Sequence, residues 1–280
     1  MKKILIVVVL VAVILTMLVG CTTVELNFGK KLVKTNDMIT ILTELTAGTA
    51  DVGVMDSIMA GYYMSQDTNY ASKLMIVENL VLAEEQYGIA ARKEATSTIY
   101  QINKALLALS VNGKVLEVAE SYGLVEDLDI DESYVLGEDA STDSDWATIQ
   151  AKGKLKIGYT VFAPIAYTDD AGAFIGFDID LAKAVGEYLG VQVEFVKIEW
   201  NGKELELSSG NIDLIWNGMT ITDELKASMN ISIPYLANKQ VAIIRKADKD
   251  IYKDTDAMKD AIIVAESGSA GQGVVVKKKD

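Results

Sequence analysis

Residues 153–235 read GKLKIGYTVFAPIAYTDDAGAFIGFDIDLAKAVGEYLGVQVEFVKIEWNGKELELSSGNIDLIWNGMTITDELKASMNISIPY, and this stretch decides the fold. LKIGYT (155–160), VQVEFVKI (191–198) and IDLIWN (212–217) are short, apolar and β-prone, while FDIDLAKAVGEYLG (177–190) and KELELSS (203–209) read as helices. The alternation continues through QVAIIRK (240–246) and AIIVAE (261–266) as strands and DAMKD (256–260) as a helix. Such alternation predicts an α/β architecture with largely parallel sheets. The final SGSAGQGVVVKKKD (267–280) predicts the start of a helix running into a basic tail.

Toward the N-terminus a first globular segment spans 25–125. TNDMITILTEL (35–45) sets Met38, Ile41, Leu42 and Leu45 at helical spacing, with Thr35 or Asn36 as the expected cap. ADVGVMD (50–56) reads as a buried strand and SIMAGYYMSQ (57–66) as a helix beginning just after Asp56. LMIVENLVL (74–82) and YGIAARK (87–93) predict two further strands; 96–113 and 114–123 predict helices stopped by Gly113 and Gly123. Nine of the twenty residues in 126–145 are acidic and no apolar period runs through them, which predicts a solvated linker. The spacing of a calcium-binding EF-hand loop is absent there. From Trp146 the second segment runs to residue 280.

The 40 acidic and 26 basic side chains give a formal charge of −14, which argues against nucleic acid as a partner. The chain has no histidine, so the commonest general base and transition-metal ligand are missing. Residues 1–21, MKKILIVVVLVAVILTMLVGC, place two lysines before an apolar run and LVG before the only cysteine. This pattern predicts a lipoprotein signal peptide over 1–20 and a lipid on Cys21, anchoring the chain to the outer face of the cell membrane. An uncleaved membrane anchor is the alternative. With Cys21 lipidated, no disulfide is possible.

Four blocks in 153–235 carry a resemblance: the opening strand with its FAP turn, GFDIDLA, SGNIDLIWNGMTIT and ISIPY. In order and spacing they resemble the N-terminal half of bacterial extracellular solute-binding proteins of the amino-acid type (family 3). LTAGTADVGVMDS (45–57), EEQYGIAARK (84–93) and INKALLALSVNGKVLEVAESYG (102–123) resemble that family's C-terminal half, so 25–125 and 146–280 stand in exchanged order around the linker. The resemblance implies a two-lobed, type II periplasmic-binding-protein-like α/β fold, circularly permuted. One lobe would comprise roughly 146–245 plus 88–125, the other roughly 25–87 plus 250–280. A dimer with exchanged halves stays open.

The resemblance also implies a site. Phe162 and Trp200 fall where the family sandwiches its ligand, although either aromatic also suits a core. Gly218 and Thr220 match positions for a backbone carbonyl on the ligand ammonium and a hydroxyl on its carboxylate, with Asn217 on the same wall. Ser269 lies at a helix mouth suited to a carboxylate, and Asp56 stands where an acid meets the ligand amine, or alternatively caps the helix from Ser57. The family's carboxylate-clamping arginine is replaced by Leu225, with Lys226 one place later, and Glu266 replaces a basic or neutral residue. The expected pocket therefore holds two acids and no matching cation, and needs no metal or cofactor. The expected role is the ligand-binding component of an ABC importer, docking on its permease. The alternatives are a carboxylate-dependent lyase or dehydratase, with Asp56 and Glu266 as acid and base, and a ligand-sensing module.

Overall fold

The computed structural model describes residues 25–66 and 68–278. The signal segment 1–20 and Cys21 lie outside the described residues. Among the described residues no helix is long and apolar enough to cross a membrane. The chain forms two α/β lobes. The terminal lobe takes β1 (Lys31–Thr35), α1 (Ile39–Ala47), β2 (Val52–Asp56), α2 (Ser57–Gln66) and α3 (Thr68–Lys73) from one end of the chain, and β11 (Ile262–Glu266) and α10 (Ala270–Val275) from the other. The central lobe holds α4 (Thr96–Val111), α5 (Lys114–Tyr122), α6 (Asp145–Lys152), β4 (Lys154–Tyr159), β5 (Tyr167–Thr168) and β6 (Phe174–Ile175). It continues with α7 (Phe177–Leu189), β7 (Gln192–Lys197), α8 (Lys203–Ser208), β8 (Leu214–Thr220), α9 (Asp223–Ser228) and β9 (Met229–Ile231).

Two long strands, β3 (Leu74–Arg92) and β10 (Leu236–Arg245), run between the lobes, giving the order β1-β11-β2-β10-β3-β8-β4-β7 with β9 paired to β3. Within each lobe the neighbouring strands β1, β11 and β2, or β7, β4 and β8, are parallel, whereas the crossing strands pair antiparallel. Both ends of the chain therefore build one sheet. They also meet: Leu26 bridges Val276, and Asn27 N donates to Val275 O at 2.8 Å.

β2 is buried along its whole length, and a side chain at Gly53 would meet Ile41 at 2.5 Å, so the glycine is what lets α1 lie directly on the strand. α1 starts at Ile39 rather than near 35 because Thr35 belongs to β1 and Asp37 Oδ1 accepts from Thr40 N at 2.8 Å. α4 buries Ile99, Ile102, Ala105, Leu106 and Leu109, the spacing of one helix face.

Three expectations are corrected. The strands expected at 74–82 and 87–93 are one continuous β3, because the acidic interval pairs across to β10 (Glu84 with Lys239, Glu85 with Asn238). Residues 256–260 form turns instead of a helix. The acidic linker is not merely solvated: Leu128 and Ile130 pack on the core, Leu128 bridges Leu236, and Asp129 N donates to Tyr235 O at 3.1 Å. At its far end Asp143 accepts from Ser97 N at 2.9 Å and Thr96 Oγ1 at 2.6 Å, at the start of α4. The linker is a strap fastened at both ends.

Candidate functional site

The carboxyl ends of β2 and β11 in one lobe face those of β4 and β8 in the other, the place where open α/β sheets leave a crevice. A cleft of about 1090 Å³ lies there. Phe162, Trp200, Asn217, Gly218, Thr220, Ser269, Asp56 and Glu266 all line it, so the eight residues expected at the site come together from five separate parts of the chain. Leu225 lines its edge, leaning on the apolar cluster of Ile215 and Met219.

The central-lobe wall is aromatic and its polar groups are engaged internally. Gly218 has φ +59°, and a side chain there would meet the Phe162 ring at 2.7 Å; the glycine is required by both conformation and space. Its N–H donates to Asp178 Oδ2 at 2.8 Å, and Tyr235 Oη donates to the same oxygen at 2.9 Å. Asp178 is 1% exposed, and burial pushes its carboxyl up to about 7. Asn217 Oδ1 accepts from Thr160 N at 3.1 Å and its Nδ2 donates to Thr160 Oγ1 at 3.2 Å, fixing the turn that carries Phe162.

The opposite wall is acidic. Asp56 (5% exposed) and Glu266 (4% exposed) end β2 and β11, and burial raises each carboxyl to about 8, with Glu85 adding to the effect on Asp56 and Asp56 to that on Glu266. Asp56 Oδ1 accepts from Tyr87 Oη at 2.9 Å, Asn238 Nδ2 at 2.5 Å and Gln240 Nε2 at 2.7 Å. The same two amides donate to Glu85 Oε2, at 2.9 and 3.0 Å, tying the two carboxyls together; burial raises Glu85 as well. Asp56 thus ends a strand just before α2 with its carboxyl turned to the crossing strands; among the described hydrogen bonds it does not cap α2.

Two residues change the expected balance of two acids and no cation. Glu85 is a third acid, and Lys203 (6% exposed) is a cation on the wall, with Nζ 4.6 Å from the Trp200 ring centroid. Lys203 Nζ donates to Gly268 O at 3.0 Å, a contact from the central lobe to the terminal one, and burial lowers its pKa. Both were within reach of simple periodicity: Glu85 shares the face of Tyr87 two residues on, and Lys203 follows Trp200 by one helical turn. Thr220 Oγ1 donates to Glu85 Oε2 at 3.2 Å. Ser269 Oγ caps α10, accepting from Gln272 N at 3.1 Å and donating to Glu266 O at 2.8 Å. Among the described residues no group of three or more acids, histidines or cysteines is arranged to hold a metal ion.

Residues 155–279 match the model of bacterial extracellular solute-binding proteins, family 3. The chain is 29% identical over 112 residues to the L-cystine-binding protein TcyJ of Escherichia coli (strain K12), covering 40% of this chain and 42% of that protein. It is 36% identical over 88 residues to a probable histidine-binding protein of Neisseria gonorrhoeae, covering 31% and 33%. A substrate-binding protein of an ABC uptake transporter from Streptococcus pneumoniae, solved with bound histidine, is 42% identical over 32% of this chain and 36% of that chain, with a TM-score of 0.30. The chain thus spans about two fifths or less of the length of these relatives. The two-lobed α/β architecture agrees with the type II periplasmic-binding-protein-like fold expected from the sequence, and residues 155–279 are similar to the bacterial extracellular solute-binding proteins, family 3.

Proposed function

We propose that this chain captures a small polar solute, an amino acid or a related amine, between its lobes and is the extracytoplasmic ligand-binding component of an ABC importer. The observation that carries the reading is the cleft itself. It lies at the strand ends of two lobes joined, among the described residues, by β3 and β10, with aromatic rings on one wall and buried carboxyls on the other. Lobes joined by two strands can close around a solute by hinge motion and present a new surface to a permease. The names of the relatives, binders of L-cystine and histidine, support the same class of solute.

The arrangement of the chain belongs to this proposal. In it, 25–125 is the C-terminal half of the binding-protein fold, 126–145 the joining strap and 146–280 the N-terminal half, a circular permutation. Supporting it, each crossing strand pairs with strands of the other half, β3 with β8, β9 and β10, and β10 with β2 and β3, and β1 and β2 flank β11. The signal segment 1–20 would direct export, and the lipid on Cys21 would hold the protein at the outer face of the cell membrane; Cys21→Ser should abolish metabolic incorporation of labelled palmitate.

A second reading, a carboxylate-dependent lyase or dehydratase, draws on Asp56 and Glu266, whose raised carboxyls are poised to hold protons near neutrality. We favour binding without turnover. Thermal unfolding of residues 22–280 against amino acids, polyamines and quaternary amines tests this. One solute should stabilise the fold by about 2.7 kcal/mol at a hundredfold excess over Kd, and should be recovered unchanged. A cooperative transition that no solute shifts overturns binding; a solute consumed on incubation overturns the absence of catalysis.

A further inference from the structure

We propose that the solute is an alkyl diamine or a similar organic dication without a carboxylate, its ammonium groups among Asp56, Glu85 and Glu266 and its alkyl body against Phe162 and Trp200. The proposal rests on the solute-binding reading above and names the ligand class of that cleft.

Charge is the first argument. Eight acids line the cleft against three lysines, and its buried acids Asp56 and Glu266 have one buried amine, Lys203, so the lining carries excess negative charge when the acids ionise. Buried acids without matching cations are costly, and a ligand that supplies the cations removes that cost. The second argument is an unfilled partner. Glu266 is 4% exposed and lines the cleft, yet its carboxyl accepts no hydrogen bond from any described residue. A buried carboxyl is ordinarily bonded, so Glu266 presents two acceptor oxygens to whatever enters.

The third argument concerns what a ligand carboxylate would find. The chain has only two arginines. Arg92 is paired with Asp145 at 2.7 Å and Arg245 with Asp248 at 2.7 Å, both in structural pairs, and neither lines the cleft. Lys203 already donates to Gly268 O and lies over Trp200. The hydroxyl of Thr220 donates to Glu85, and that of Ser269 donates to Glu266 O. A carboxylate would enter an acidic cavity in which the buried amine of Lys203 and the hydroxyls of Thr220 and Ser269 are already engaged; an ammonium would meet the open oxygens of Glu266.

Calorimetric titration of the full chain in detergent micelles with 1,5-diaminopentane and with lysine, which shares its skeleton and adds a carboxylate, tests the proposal. The diamine should bind about tenfold or more tightly than lysine, and Glu85→Gln and Glu266→Gln should each weaken it about tenfold. Glu120→Gln, at an exposed position on α5 outside the cleft, should leave it unchanged, and melting curves of all three variants establish that they fold. Lysine or a neutral amino acid binding more tightly than the diamine overturns the dication and leaves solute binding standing. Diamine affinity unaffected by both Glu85→Gln and Glu266→Gln also overturns it. No heat from any amine or amino acid, with the protein folded, overturns both readings.

Discussion

The two walls of the cleft are built on opposite principles. On the central-lobe side, Gly218, Asn217 and Thr160 are locked by hydrogen bonds within that wall, and the rings of Phe162 and Trp200 are held in place without any ligand. Across from them, the carboxyls of Asp56, Glu85 and Glu266 are crowded together by strands from both ends of the chain, and burial holds all three above the ordinary carboxylate range. One wall is finished in the free protein; the other retains unmet electrostatic demand. The lesson is a division of labour: damage to the first wall should cost stability, and damage to the second should cost binding while relieving the free fold.

The sharpest way to break that contrast is Asp178→Ala. It leaves the Gly218 N–H and the Tyr235 hydroxyl without their buried acceptor, and should cost roughly 2–4 kcal/mol in urea unfolding. A loss within error would mean that the central wall is not held as described. Next comes pH. Burial lifts Glu266 from 4.5 to about 8 and Asp56 from 3.8 to about 8, so between those values the folded form keeps protons that the unfolded chain has released. Stability of the free protein should therefore be greatest near the lower values and decline as pH rises toward 8. Glu266→Gln should flatten that decline by on the order of 2 kcal/mol at pH 9, with Asp56, Asp37, Glu199 and Lys203 still facing the site. Denaturant melts at pH 5, 7 and 9 check the sign; stability rising over that range would contradict it.

Gly218→Ala follows, at about 1.5 kcal/mol, because it sets a side chain at positive φ against the Phe162 ring. The smallest effect is remote from both walls. Although burial pushes Asp143 up, hydrogen bonds from Ser97 and Thr96 hold its carboxyl well below the usual range. Asp143→Ala should cost about 1 kcal/mol, the worth of a helix cap, without altering solute binding. A binding change there would show that the strap is coupled to the cleft.

Local pattern carried much of this architecture. The helix at 57–66 and the strands ending at Asp56 and Glu266 follow from apolar runs and their punctuation, and the residues named from sequence blocks meet in one cleft. What local pattern missed was decided by partners distant in the chain. Glu84 and Glu85 read as a strand break, yet β10 continues the ladder beside them. Leu128 and Ile130 read as part of a charged linker because only their contacts with the core reveal them as anchors. Glu85 and Lys203 escaped notice although their local spacing was readable, because what makes each part of the cleft is a group distant in its own segment, Asp56 for one and Gly268 for the other. Residues 256–260 carried helical composition but form turns, which suffice to bury Met258 in the core.

The most direct test is a crystal structure of the chain grown with the solute that most raises its melting temperature. The account predicts that solute between the lobes, with a positively charged nitrogen within hydrogen-bonding distance of Asp56, Glu85 or Glu266 and its body against Phe162 or Trp200. A solute bound outside the cleft, or one inside it that turns an anionic group toward those three carboxyls, would contradict it.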